Sequence, residues 1–323
     1  MANPVPFTDQ LALPLIGAPM FIASYPELVI AQCKAGVLGS FPSLNARSTA
    51  VLDDWLTRIE SETEAFRDAN PDRRVAPFGM NLILHTSNTR REEDLALAVS
   101  HKVPLVITSV GKPDRVCPAV HAYGGRVFHD IISVVHARKA LDCGVDGLIL
   151  VCVGAGGHAG SLSPFALLSE IREFFDGPVV LSGALSNGRQ LRAVEVMGAD
   201  YGYMGTRFIA TVEANVSDEQ KRMMLESTAA DIVYTPYFTG IRANYLRQSV
   251  ARAGLDPDRL DHAGPGAPGG VFNPDEQKVK AWKDIWSAGH GVGTIHDIPT
   301  VGQLVARLTD EYREAVRLPS GFV

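Results

Sequence analysis

The stretch Val153-Gly154-Ala155-Gly156-Gly157-His158-Ala159-Gly160 sets one imidazole among residues with little or no side chain. Glycine lets a flat ligand approach the main chain closely. An imidazole is the side chain best placed to take or give a proton near neutral pH. His158 is therefore the candidate acid–base residue, and a plain hydrogen bond to a backbone carbonyl is its competing role. The string superficially matches a dinucleotide fingerprint. However, no helix starts in the required frame, and no acidic residue ends a following strand to hold a ribose. Two further glycine turns follow, Ser182-Gly183-Ala184-Leu185-Ser186-Asn187-Gly188 and Met204-Gly205-Thr206-Arg207-Phe208. A phosphate needs backbone N–H groups with no Cβ in the way, ideally backed by a helix N-terminus. The pair of turns offers this, with tight turning alone as the alternative.

Other residues fall where strands should end. Pro19-Met20 offers a soft thioether that suits either a flat ring or core filling. Asn81 offers hydrogen bonds to a ligand edge, as do Thr108 and Ser109. Asp130, with His129 beside it, is the acid placed among the strand ends; it would bind a ligand hydroxyl, orient another group or cap a helix. Lys112 sits in the turn Gly111-Lys112-Pro113-Asp114, which weakens a Schiff-base aldolase reading. His85, His101, His121, His129 and His136 are spread over different units without HxxxH or HExxH spacing, so no metal site is expected.

These residues need elements to position them. Eight short apolar runs ending in turn residues read as strands: Leu15–Met20, Val37–Phe41, Pro77–Ile83, Leu105–Val110, Arg126–Ile131, Gly147–Val153, Val179–Ala184 and Tyr201–Phe208. Continuous apolar runs are the signature of a parallel sheet buried on both faces. Between them lie helical patterns, such as Pro26–Ala35, Pro164–Phe175 and Arg189–Met197, which start at proline or stop at glycine. Eight strand–helix units predict an α/β fold, a (β/α)8 TIM barrel, with a doubly wound sheet as the alternative. Residues 1–210 and 286–323 would form the barrel. Residues 211–285 would form a mostly helical excursion after strand eight, covering the mouth where active sites are built. It contains the loop-like run at 256–277 and the aromatics Tyr234, Tyr237, Phe238 and Tyr245, candidates for a substrate wall or for packing on the rim. A last helix, roughly 299–317, would close the barrel.

Bulk properties exclude several classes. The chain has 323 residues and a net charge of −6, with no basic run, so nucleic-acid binding is not expected. No apolar stretch reaches the roughly 18 to 20 residues that span a bilayer. The N-terminal residues do not read as a secretory leader. The four cysteines form no CxxC pair, which suggests reduced thiols in a cytoplasm. Of the 30 glycines, Gly154, Gly156, Gly157, Gly160, Gly183, Gly188 and Gly205 cluster after strands six to eight, as a ligand mouth requires.

Taken in order, PM, GMN, GAGGHAG, SGALSNGR, MGTRF and WSAGHG give the chain its family likeness. The chain resembles the nitronate monooxygenase family, formerly called 2-nitropropane dioxygenases, over nearly its whole length. The resemblance implies an FMN-dependent barrel. FMN phosphate would rest on Gly183, Ala184, Gly205 and Thr206, and the ring on Pro19, Met20, Asn81 and the loop Ala155-Gly156-Gly157. His158 matches the family's catalytic histidine, as base or as an anion-orienting group. Trp286-Ser287-Ala288-Gly289 would close the pocket, and Ala18, Asp130, Ser182 and Met204 complete the implied cofactor set. Three departures stand out. Ala184 replaces a frequent glycine, tolerable if its φ is negative. Asp130 stands where the family often has a basic or amide side chain, and WSAGHG adds His290. The implied activity is oxidation of alkyl nitronates with O2 to carbonyl compounds and nitrite, in a cytoplasmic enzyme compatible with a homodimer. Rival readings are an NAD(P)H:quinone reductase or a flavin-dependent enoyl reductase and, from another class, a flavin-free phosphosugar isomerase or lyase.

Overall fold

In the computed structural model, residues 5–260 and 282–318 are described. The apolar runs form the barrel strands β1 (Leu15–Gly17), β2 (Gly39–Pro42), β3 (Phe78–Ile83), β4 (Leu105–Ser109), β5 (Arg126–Ile131), β6 (Gly147–Val151), β8 (Val179–Ser182) and β9 (Tyr201–Met204). The short β7 (Gly157–His158) lies outside the barrel. All eight barrel strands pair in parallel in the order β1-β9-β8-β6-β5-β4-β3-β2. A parallel bridge from Ile16 to Leu38 joins the two end strands and closes the ring. Ile16, Leu38, Leu105, Ile107, Phe128, Ile149, Val180 and Tyr201 fill the lumen as a packed core rather than a pore. A doubly wound sheet is thereby ruled out.

Several strands stop short of their apolar runs. Val153, Ala184 and Phe208 lie past the ends of β6, β8 and β9, because the glycine turns leave the ladder first. The run 201–208 divides into β9 and a one-turn helix, Thr206–Ile209.

The outer helices use local signals well. Helix α1 (Pro26–Lys34) starts with proline, and helix α2 (Thr49–Ala69) is capped by Ser48. Next come α3 (Arg91–Ser100), α4 (Val116–His121), α5 (Val134–Asp142), α6 (Pro164–Arg172) and α7 (Gly188–Val196). Thr206–Ile209 is α8. Two helices of the excursion, α9 (Asp218–Leu225) and α10 (Arg247–Arg252), follow, and α11 (Val301–Arg317) ends the series. Helix α11 buries Val301, Leu304, Val305 and Leu308 against Leu13, Leu15, Leu28 and Leu191, so it covers the seam where the barrel closes. It crosses α7 so tightly that a Cβ on Gly188 would overlap the Leu308 carbonyl oxygen.

The excursion also carries a β-hairpin beside its helices. β10 (Ile232–Thr235) pairs antiparallel with β11 (Ala243–Leu246), and β11 pairs with β7. The run at 256–277 falls mostly outside the described residues. Phe238 and Tyr245 pack into a cluster with Val250, Leu260 and Ile285, and Tyr234 donates to the Ala159 carbonyl at 2.7 Å. None of the four candidate aromatics lines the cavity described next. Theirs is the packing role, and the excursion presents Ile241 and Trp282 instead.

Candidate active site

A cavity of about 530 Å³ opens at the C-terminal ends of the barrel strands, a usual size for a ligand pocket. Ala18, Pro19, Met20, Asn81, Asp130, Ala155, Gly156, Gly157, His158, Ser182, Gly183, Ala184, Gly205, Thr206 and Ser287 all line it. Met204 does not. It is fully buried beside Leu15 and Leu28 in the core beneath α11, because alternation on β9 turns Tyr203, not Met204, toward the lumen.

The floor is polar and connected. Asn81 Nδ2 donates to Ser109 Oγ at 2.8 Å, and Ser109 Oγ donates to Asp130 Oδ2 at 2.5 Å. The other carboxylate oxygen, Asp130 Oδ1, is enclosed without a partner, as is Tyr203 Oη. Both residues line the cavity. Burial pushes the Asp130 carboxyl up to about 6, with the Ser109 hydroxyl pulling the other way. Burial and the nearby Asp130 charge hold the Tyr203 phenol protonated, far above its ordinary range. His129 faces away from this floor. Its Nδ1 meets Thr108 Oγ1 at 2.8 Å, and burial pushes it down to about 4. These two are satisfied core residues.

His158 is placed by the excursion as much as by the barrel. The register His158↔Ala243 and Gly157↔Asn244 fixes its backbone. Its Nε2 lies 2.8 Å from Thr239 Oγ1, and its ring meets Trp282 edge-on, centroids 5.4 Å apart. Burial pushes the imidazole down to about 4, so it is neutral at pH 7.

The glycine loop is held by staples. Ser287 Oγ accepts from Gly157 N at 2.7 Å and donates to the Asn244 carbonyl at 2.6 Å. Asn244 Nδ2 donates to the Ala155 carbonyl at 2.6 Å, and Gly289 N donates to Thr206 Oγ1 at 2.9 Å. His290 N donates to Gly154 O at 2.9 Å. A Cβ on Gly156 would lie 3.0 Å from Gly289 N and 3.1 Å from Thr206 Oγ1. A side chain there would therefore push these segments apart.

The phosphate-type turns line the cavity, although the Ala184 N–H already donates to Gly154 O at 3.3 Å, and two revisions follow. Ala184 has φ +58°, not a negative value, so its methyl sits in the left-handed region at a cost of about 1 kcal/mol. The α7 N-terminus is already occupied. Asn187 caps it, and Glu311 Oε2 accepts from Gly188 N at 2.7 Å. An anion would thus be held by the turns at 183–184 and 205–206, not by that helix. Arg207 of MGTRF is buried and bonded to Asp297 at 2.6 Å, away from the cavity. Among the described residues, no lysine or arginine lines the cavity.

The arrangement suits a flat ring over a floor with one unpaired carboxylate oxygen and one unpaired hydroxyl. It adds two backbone turns for an anionic tail, and a neutral imidazole at the rim. Four residues of the site had not been singled out as ligand or positioning groups: Tyr203, Thr239, Asn244 and Trp282. Only Tyr203 had a local signal, its alternation with Tyr201 on one strand.

A barrel with this mouth has the form of an enzyme that takes a small ligand at the C-terminal ends of its strands. The sequence model of the family "Nitronate monooxygenase" matches residues 7–311. The chain belongs to the nitronate monooxygenase family, whose members are flavin-dependent oxidoreductases. A nitronate monooxygenase of Neurospora crassa is 26% identical, aligned over 95% of this chain and 91% of its own length. One from Paraburkholderia phytofirmans is 25% identical over 76% of each. Two solved structures share the fold. FabK from Thermotoga maritima has a TM-score of 0.76 and 23% identity, covering 97% of both chains. Nitroalkane oxidase from Streptomyces ansochromogenes has a TM-score of 0.75 and 24% identity, covering 96% of this chain and 98% of its own. No helix among the described residues is long and apolar enough to cross a membrane.

Proposed function

We propose that the chain is an FMN-dependent nitronate monooxygenase of the cytoplasm, converting alkyl nitronates and O2 to carbonyl compounds and nitrite. One observation carries the reading: a neutral His158 lines the cavity beside a glycine loop and two glycine-containing turns. The orphaned Asp130 Oδ1 and Tyr203 Oη suit the N–H and C=O groups along a flavin edge, and the turns at Gly183-Ala184 and Gly205-Thr206 suit its phosphate. FMN, when bound, supplies the electron transfer between substrate and O2. The protein's residues do the rest. His158 takes the α-proton of a neutral nitroalkane, forming the nitronate in place. The rim, with Phe21, Val110, Ile132 and Ile241, surrounds an alkyl tail.

Nitrite release tests this. The native protein with FMN should release nitrite from both a nitroalkane and its preformed nitronate. His158→Ala should lose roughly 100-fold or more on the nitroalkane and much less on the nitronate, which needs no deprotonation. A flavin-loaded protein that consumes neither would refute the assignment.

A second reading comes from a relative named (3aS,4S,5R,7aS)-5-hydroxy-7a-methyl-1-oxo-octahydro-1H-indene-4-carboxyl-CoA dehydrogenase, from Rhodococcus jostii. It is 27% identical over 78% of this chain and 65% of its own length. A CoA thioester carries several phosphates, and the described cavity lining offers them no cation. That favours the small nitronate.

A further inference from the structure

We propose that Thr239 fixes His158 in the neutral tautomer with its proton on Nε2, leaving Nδ1 to receive the substrate's proton. The proposal rests on the reading of His158 as a proton acceptor and adds the atom and the residue that selects it.

The argument is one of counting protons. Thr239 Oγ1 lies 2.8 Å from His158 Nε2 and 3.0 Å from the Ile241 carbonyl oxygen. A hydroxyl has one proton to give, and a carbonyl oxygen can only accept. With Nε2 protonated, both bonds form: Nε2–H donates to Oγ1, and Oγ1–H donates to Ile241 O. The Ile241 N–H also approaches Oγ1, at 3.4 Å, as a second donor to the same oxygen. In the opposite tautomer, Nε2 and Ile241 O would both be acceptors facing a single proton. One of them would stay unpaired beside a threonine only 7% exposed, and an unmade buried bond is costly.

The ring cannot easily turn to escape this choice. Its backbone is paired to β11, and Trp282 lies edge-on against it. Nδ1 makes no hydrogen bond among the described residues, while the side chain lines the cavity. Thr239 does not itself line the cavity and acts through His158, so it is a positioning residue. It reaches the site across 81 residues of sequence.

The tautomer can be read without any substrate. 15N–1H long-range correlation spectra of the flavin-loaded protein, with His158 assigned by its loss in His158→Gln, should show a protonated Nε2 and an unprotonated Nδ1. A protonated Nδ1 overturns the proposal. Thr239→Val keeps the shape and removes the hydroxyl. It should replace this pattern with averaged signals on both nitrogens and lower kcat on a nitroalkane about tenfold, with KM nearly unchanged. Thr239→Ser should restore both. If Val and Ser lose activity equally while the tautomer stays fixed, Thr239 only packs, and the proposal fails. A protein inactive on every nitronate would refute the functional assignment, and the spectrum would still decide this proposal.

Discussion

At the residue scale, two titratable groups at the mouth are displaced in opposite directions by the same burial. His158 is pushed down to about 4. Unfolded, it would bind a proton below about 6.5. Its contribution to stability is therefore intact at neutral pH and is lost as pH falls from 6.5 toward 4. For catalysis, the same shift keeps the base available in mildly acidic buffer. The kcat/KM profile on a nitroalkane should show no acid limb at 6.5 belonging to His158. Asp130 is raised to about 6 from 3.8. The folded protein then binds the extra proton between those values, so stability falls as pH rises through that window, and the full penalty stands above 6. Asp130→Asn keeps an acceptor for Ser109 and removes the charge. In the ligand-free protein its melting temperature should match wild type near pH 4 and exceed it above pH 7. Two units correspond to at most about 3 kcal/mol. A pH-independent difference would mean that Asp130 is not ionised in place.

At the element scale, the site is a set of turns held in register by hydroxyl and amide staples. The turn after β8 carries strain, since Ala184 sits at φ +58°. Ala184→Gly should stabilise the fold by about 0.5 kcal/mol or less, the relief of the left-handed methyl less the extra freedom of glycine when unfolded. A urea midpoint measures it, and a fall would show that the methyl makes compensating contacts. The barrel strands and the glycine turns were legible in the sequence because each is a local pattern: an apolar run, then residues without side chains. The hairpin and its hold on His158 were not. β7 is two residues long, too short for any periodicity, and its partner β11 lies some 85 residues further along the chain. Thr239 and Asn244 acquire their roles only once that antiparallel register exists. The sign of φ at Ala184 was equally hidden, because alanine normally avoids that region and only the surrounding turn imposes it.

At the scale of the whole molecule, the barrel depends on its final helix. Gly188 lets α7 and α11 meet backbone to backbone. A Cβ there would overlap Leu308 O and come within 2.5 Å of Tyr312 N. Gly188→Ala should cost about 3 kcal/mol, because rigid helix backbone rather than a flexible side chain must move. Thermal or urea unfolding would reveal it, and a neutral result would show that α11 shifts freely. The same helix supplies Glu311, whose carboxylate accepts the Gly188 N–H just past the turn that would hold the flavin phosphate. Synthesis on a ribosome runs from the first residue to the last. Most of the barrel can gather as it emerges, yet the turns proposed to seat a flavin receive braces from 287–291 and then from 311 only after a long further stretch of chain has been made. If the proposed flavin site is right, a nascent chain should bind flavin weakly until the helix 301–317 has emerged, so that cofactor capture follows the closing of the barrel.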